Sequence, residues 1–130
     1  MLCNSTRMRR DPDLIRALLL AVEAADGELL HQPAVRGYDR RTVHFHVRLL
    51  LEAGYLSTAL PDRSIRQDWI LLRLSWSGYD FLDRVRDGEV WRGTKQVAAK
   101  LGSWSLETLG TIAREIVLAK ARTLGISFVV

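Results

Sequence analysis

The sequence predicts a mainly α-helical protein of the α+β class, and three observations support this prediction. Two segments, 40–53 and 106–124, have apolar residues at the three- and four-residue spacing of a helix that buries one face. Between them, two short runs of strand-forming residues flank the turn-forming residues 61–64, as in a β-hairpin. With 130 residues, 48% of them hydrophobic, the chain is long enough to bury a core.

The first helix is predicted to begin at the Asp-Pro-Asp sequence of residues 11–13, because aspartate caps helices and proline is favoured at the first helical position. It follows a polar and basic segment, 1–10, that we expect to be a flexible arm. An Asp-Gly pair at 26–27 should end the helix, and the mixed segment 28–35 after it suits an edge strand, a prediction that Pro33 weakens. The predicted buried stripe of this helix is Leu14, Ile15, Leu18, Leu19 and Val22.

The second helix is predicted over residues 40–53, and Gly54 supplies the left-handed residue that ends it. Its apolar face consists of Val43, His46, Val47 and Leu50. At 100° per residue, the opposite and outward face consists of Arg41, His44, Arg48 and Glu52. His46 is expected to lie at the edge of the core with its ring bonded to the backbone.

The hairpin that follows resembles the wing of a winged-helix domain. Its second strand is predicted within the run 69–74, and the segment 74–82, LSWSGYDFL, is similar to the one with which many winged-helix regulators leave the wing. Ser75 or Ser77 can cap the next helix, which should run to about Arg86. One departure from the winged-helix pattern is that little room remains before Asp39 for the usual helix preceding a recognition helix.

Two more helices are predicted after a break at residues 87–88. The first, 90–101, has Val90, Trp91, Val97, Ala98 and Leu101 as its apolar residues and stops at Gly102. The second, 106–124, is the longest element of the chain. We therefore expect an arm over 1–10, a winged-helix-like domain over 11–88 and a C-terminal helical extension over 89–130.

Five segments share their order and spacing with a known family: 8–16, 37–39, 46–54, 74–82 and 90–91. Together they resemble an uncharacterised family of short bacterial and prophage proteins known as domain of unknown function 2513. The similarity spans roughly residues 8 to 110 and implies a winged-helix-like fold in a bacterial or phage cytoplasm. The resemblance implies no activity, cofactor or catalytic residue.

The basic residues around the second helix suggest double-stranded DNA as a partner. The formal net charge is +4, and residues 36–66 contain six arginines against three acids. Arginines on an exposed helix can bind guanine edges or phosphates, and wing-tip arginines can bind an adjacent groove. The candidate DNA-binding residues are Arg40, Arg41, His44, Arg48, Arg63 and Arg66. The alternatives are a solvated face that only keeps the domain soluble and a winged helix used as a protein-interaction module.

The last helix predicts a homodimer, because its apolar face is larger than a small domain usually needs. The candidate interface residues are Leu109, Ile112, Ile116 and Val117. Two-fold pairing would hold two central helices at a fixed separation, as in regulators that bind two half-sites. In the competing interpretation the helix closes the core of its own domain.

Motifs for enzymatic chemistry are absent from the sequence. It contains no phosphate-binding glycine loop and no GxSxG motif, and its single cysteine, Cys3, lies in the arm. His44 and His46 are two residues apart and point in different directions on a helix, so we expect no metal and no cofactor. No run is long enough for a membrane helix, and the cysteine content fits a reducing cytoplasm. The sequence therefore predicts a non-enzymatic cytoplasmic protein.

Overall fold

The computed structural model describes residues 9–25, 33–58 and 72–126. Within these residues it contains five helices and one antiparallel sheet of two strands, which confirms the predicted α+β, mainly α class. The helices are α1 (Pro12–Ala24), α2 (Arg40–Ala53), α3 (Trp76–Val85), α4 (Gly88–Leu101) and α5 (Leu106–Thr123), and the strands are β1 (Leu56–Thr58) and β2 (Leu72–Leu74).

The first two helices begin where their sequences predict, and α2 also ends where predicted. The Asp11 carboxylate caps α1 by accepting hydrogen bonds from the backbone N–H groups of Asp13 (3.0 Å) and Leu14 (3.2 Å). Asp39 caps α2 in the same way, with 2.8 Å between its Oδ1 and the Thr42 nitrogen. Gly54 ends α2 at a φ of 85°, a left-handed conformation that glycine adopts without steric cost.

The hydrophobic core around α1 and α2 consists of the predicted stripes. All five apolar residues of the α1 stripe are buried, and α1 packs against α2 and β2 while α2 packs against β1. Each fully buried leucine contributes about 2 kcal/mol of transfer free energy, so this hydrophobic core is the main stabilising feature of the region. From α2 it includes Val43, His46, Val47 and Leu50, and from the strands Leu56, Leu72 and Leu74.

The two strands pair antiparallel, with Leu56 opposite Leu74 and Thr58 opposite Leu72. This confirms a hairpin between α2 and α3. The predicted turn at 61–64 lies outside the described residues, as do most of the arm, the Asp-Gly pair at 26–27 and the first part of the segment 28–35. Its described part, 33–35, forms no strand.

Ser75 connects the start of α3 to the two residues between α2 and β1. Its Oγ donates a hydrogen bond to the Gly54 carbonyl and accepts one from the Gly78 N–H at 3.0 Å, so Ser75, and not Ser77, caps the helix. The backbone N–H of Ser75 also donates to the Tyr55 carbonyl (3.1 Å). A Cβ at residue 78 would overlap that carbonyl oxygen, so only glycine fits there.

Helix α4 begins at Gly88, two residues before the predicted start, because Asp87 is a cap and not only a break. Its carboxylate accepts a hydrogen bond from the Val90 N–H at 3.0 Å. Gly102, at a φ of 72°, ends the helix as predicted. Of the apolar residues of this helix, Val90, Trp91 and Ala98 are buried, whereas Val97 is 39% exposed and Leu101 63% exposed.

Helices α4 and α5 form an antiparallel hairpin. Ser105 caps α5 by accepting a hydrogen bond from the Thr108 N–H (3.0 Å). A Cβ at Gly93 would lie 3.3 Å from the terminal carbon of Ile116, and Lys120 Nζ lies 2.8 Å from Glu89 Oε1. With 18 residues, α5 is the longest described element, as predicted.

The chain divides into two units, Met1–Tyr79 and Asp80–Val130. This division lies inside α3. The sequence analysis placed the end of the winged-helix-like domain at residue 88, and that domain boundary stays a prediction. In the described residues no helix is long and apolar enough to span a membrane.

Candidate nucleic-acid interface

The outward face of α2 has the composition that the helical phase predicts. Arg40, Arg41 and Arg48 are exposed, and His44 is half-buried. Arg41 and Arg48 are seven residues apart, which places them two turns and about 10 Å apart along the same side of the helix. The acid on this side is the exposed Glu52 near the C-terminal end. The positive charge therefore concentrates in the first two and a half turns of α2.

His46 fixes α2 against the start of α1. It is only 1% exposed, its Nδ1 lies 2.9 Å from the Thr42 carbonyl oxygen, and its Nε2 lies 2.8 Å from the Asp11 nitrogen. A carbonyl only accepts hydrogen bonds, so Nδ1 carries the proton and Nε2 accepts from the Asp11 N–H. This confirms the predicted edge-of-core histidine bonded to backbone. It also means that His46 has no ring nitrogen left for a metal.

Tyr38 makes a second connection between the same two regions. Its hydroxyl donates a 2.9 Å hydrogen bond to Asp11 Oδ2, while Oδ1 of that carboxylate caps α1. Burial of the phenol and this hydrogen bond to Asp11 raise the pKa of Tyr38 to about 12. The hydroxyl is therefore a donor at any physiological pH, and residue 11 is attached to α2 and to the loop before it.

The capping residue Asp39 also affects the charge at the start of α2. The hydrogen bonds that Thr42 donates to Asp39 are the main cause that lowers the pKa of this carboxyl, and Arg41 adds a smaller effect in the same direction. Asp39 is thus ionised at physiological pH. Its carboxylate accepts a hydrogen bond from the helix backbone, and the neighbouring Arg40 and Arg41 are exposed.

The remaining predicted site residues lie elsewhere or outside the described part. Arg63 and Arg66, predicted at the wing tip, are outside the described residues. Of the predicted dimer contacts, Leu109 is fully buried and Ile112 is 9% exposed, whereas Ile116 is half-buried and Val117 is 43% exposed. A homodimer through α5 would therefore have to use Val117 and the edge of Ile116, because the other two residues already lie inside the second unit.

Two features of this region were not predicted from the sequence. The hydrogen bonds of Asp11 to His46 and Tyr38 connect residues that are 35 and 27 positions apart, and no local pattern signals them. Trp76 is 80% exposed, although a tryptophan ordinarily indicates a core. The helix start at Asp87 could have been found, because an aspartate three residues before an apolar run is a capping signal.

Chemically, the described residues offer a basic helix face. In the described ranges no group of three or more His, Cys, Asp and Glu residues could hold a metal ion. Arg41 and Arg48 can each donate several hydrogen bonds to phosphate oxygens or to the acceptors of a guanine. The arrangement is suited to binding an anionic surface.

The fold and this face define a small, mainly helical α+β protein with an exposed basic helix fixed to its core. The chain belongs to the family described as "Hypothetical protein (DUF2513)", whose model matches residues 9–105. It is 34% identical over 115 residues to an "Uncharacterized protein" from Haemophilus influenzae (strain ATCC 51907 / DSM 11121 / KW20 / Rd), an alignment that covers 85% of this chain and 96% of the relative. No solved structure matches the chain significantly.

Proposed function

We propose that the protein is a winged-helix-like DNA-binding protein of the transcription-regulatory type, which acts without enzymatic chemistry in the cytoplasm of a bacterium or as part of a prophage. The proposal depends most on one observation: α2 exposes Arg41 and Arg48 on the side opposite its buried stripe, and Arg40 is exposed at its start. In this assignment α2 is the recognition helix and the β1–β2 hairpin is the base of the wing.

The physical basis is the match between a rigid helix and a DNA groove. An α-helix with its side chains is about 10–12 Å across, and the major groove of B-DNA is about 12 Å wide. Arg41 and Arg48 lie on one side of α2 and can bind base edges or phosphates, while Arg40 near the helix start is placed for a phosphate at the groove rim. The hydrogen bonds of His46 fix the rotation of α2, so that these arginines keep one direction.

The test is a double variant with a matched control. Arg41→Ala/Arg48→Ala should leave the circular dichroism spectrum unchanged and weaken binding to duplex DNA, measured by fluorescence polarisation at 50 mM salt. The control, Lys100→Ala/Arg122→Ala, removes the same charge from exposed positions of α4 and α5. We expect the first variant to reduce the slope of log affinity against log salt by about 2 and the control to leave it nearly unchanged. Equal behaviour of the two variants would refute a role for the α2 face.

The second candidate is a protein-interaction module, which the exposed apolar side chains favour. Trp76 is 80% exposed, Leu124 77% and Leu101 63%, and exposed apolar residues of this size are common at protein interfaces. Absence of DNA binding by the parent at low salt would favour this candidate.

A homodimer is part of the proposed function and has its own test. Val117→Lys would place a charge on the exposed side of α5, whereas Thr111→Lys, also exposed on α5, is the control. Sedimentation of the parent should show a dimer, and Val117→Lys alone should shift it to monomer. A monomeric parent would end the dimer proposal without affecting the DNA proposal.

A further inference from the structure

We propose that the arginines just before α1, Arg9 and Arg10, form a second DNA contact that binds phosphates at the rim of the groove occupied by α2. This inference rests on the proposed function. It assigns a binding role to a segment that the sequence alone indicates only as a polar arm. The main observation that supports it is the pair of hydrogen bonds that attach Asp11 to α2 and to the loop before it.

The two hydrogen bonds determine where the arm begins. The backbone N–H of Asp11 donates to His46 Nε2 at 2.8 Å, and Oδ2 of Asp11 accepts from the Tyr38 hydroxyl at 2.9 Å. Consecutive Cα atoms are about 3.8 Å apart, so Arg10 lies immediately beside the second turn of α2. Arg9 and Arg10 are both exposed. The arm therefore starts close to the proposed recognition helix.

The helical phase determines on which side of α2 the arm begins. At 100° per residue, His46 lies about 140° from Arg41 and about 160° from Arg48. The arm thus begins near the side of α2 that is turned away from the bases. From there it cannot reach base edges, and the DNA groups left for its arginine side chains are the phosphates at the rim of the groove.

The charge of this neighbourhood favours an anionic partner. The aspartates nearby are engaged in the fold: Asp11 by α1 and Tyr38, and Asp39 by the Thr42 N–H. Arginine binds phosphate through a planar set of donors, so these side chains are suited to the backbone of a nucleic acid. The arginines placed around the start of α2 are Arg9, Arg10, Arg36, Arg40 and Arg41, against the acids Asp11, Asp13 and Asp39.

The experiment is a salt titration of DNA binding by Arg9→Ala/Arg10→Ala, beside the parent and the Lys100→Ala/Arg122→Ala control. Two lost phosphate contacts should lower the slope of log affinity against log salt by about 2 and weaken binding on the order of tenfold at 0.1 M salt. The loss should be the same for duplexes of different sequence, because phosphates carry no sequence information. The control should match the parent.

The outcomes separate this inference from the proposed function. A parent that binds DNA with an arm variant that behaves like the control overturns the inference and leaves the proposed function standing. A parent that binds no duplex DNA at 50 mM salt overturns both. A loss restricted to one DNA sequence contradicts the phosphate assignment, because it would indicate base contacts.

The positioning role of Tyr38 is tested by a double-mutant cycle. Tyr38→Phe removes the hydroxyl that holds Asp11 but keeps the ring. We expect it to weaken DNA binding in the parent and to have no further effect in the Arg9→Ala/Arg10→Ala background. An equal effect in both backgrounds would show that Tyr38 does not act through the arm and would contradict this placement of the arginines.

Discussion

Each of the two units of the chain is stabilised internally by a different kind of contact. In the first, polar groups from distant parts of the sequence meet: Asp11 bonds to His46 and Tyr38, and Ser75 bonds to the Gly54 carbonyl. In the second, α4 and α5 are neighbours in sequence and pack mainly through apolar side chains, with Gly93 close to Ile116. A hydrogen bond requires a particular distance and angle between its partners, whereas the hydrophobic effect has no directional requirement. The first unit is therefore expected to be sensitive to single changes, and the second to be tolerant.

The largest difference is expected between two glycine substitutions. Gly78→Ala would place a Cβ against the Tyr55 carbonyl oxygen, a backbone atom that cannot move away, and should cost about 3 kcal/mol or more. Gly93→Ala meets only the mobile end of the Ile116 side chain and gains up to about 1 kcal/mol in helix propensity. Urea unfolding of both variants would decide this, and equal losses would remove the contrast between the units.

Removal of His46 should have the next largest effect. His46→Ala leaves the part-buried Asp11 N–H without its partner and opens a cavity in the core, for a loss of about 3 kcal/mol. The same substitution at the half-buried His44, on the other side of α2, should cost less than about 1 kcal/mol. Thermal melts followed by circular dichroism test this pair. A larger loss at His44 would show that the helix is anchored on its outward side.

The two serine caps offer a smaller comparison. Ser75→Ala removes the α3 cap and also the hydrogen bond to the Gly54 carbonyl, so we expect a loss of about 2 kcal/mol. Ser105→Ala removes the hydrogen bond to the Thr108 N–H that caps α5 and should cost about 1 kcal/mol. Ser77→Ala is the control, because this serine is exposed and does not cap. A loss at Ser77 as large as at Ser75 would contradict the assignment of the cap.

The smallest expected effect is a dependence on acid. The pKa of Asp39 is lowered in the folded chain, so its stabilising effect is present above the unfolded pKa and is lost as the pH falls through the folded value, below about pH 4. Asn also caps helices but does not titrate in this range. The melting temperature of Asp39→Asn should therefore fall less than that of the parent between pH 6 and pH 3. Parallel curves would show that this cap contributes nothing to the acid response.

Patterns within one element were sufficient to predict most of the helices. The bounds of α2, the buried stripe of α1 and the cap at Asp11 follow from residues close in sequence, and the structure confirms each of them. Of the two serines predicted as possible caps of α3, the structure selects Ser75. Contacts between distant residues were beyond such patterns. Nothing local indicates that Tyr38 reaches Asp11, that Gly78 lies against Tyr55, or that Val97 and Leu101 are exposed.

The candidate site shows the same limit. Helical phase was enough to place Arg41 and Arg48 on the outside of α2, because the buried stripe on the other side fixes its rotation. The phase could not show that Leu109 and Ile112 are buried in the second unit, since an apolar face has the same sequence pattern whether its partner is the same chain or another. Assignments that depend on what covers a face need a structure.

The most direct test of the central proposal is to record which backbone amide signals of the parent change when duplex DNA is added. Chemical-shift mapping at 50 mM salt should place the largest changes in the first two and a half turns of α2 and at Arg9 and Arg10, with little change in α4 and α5. This result would assign DNA binding to the basic face of the first unit. Changes confined to α4 and α5, or no changes at all, would contradict it.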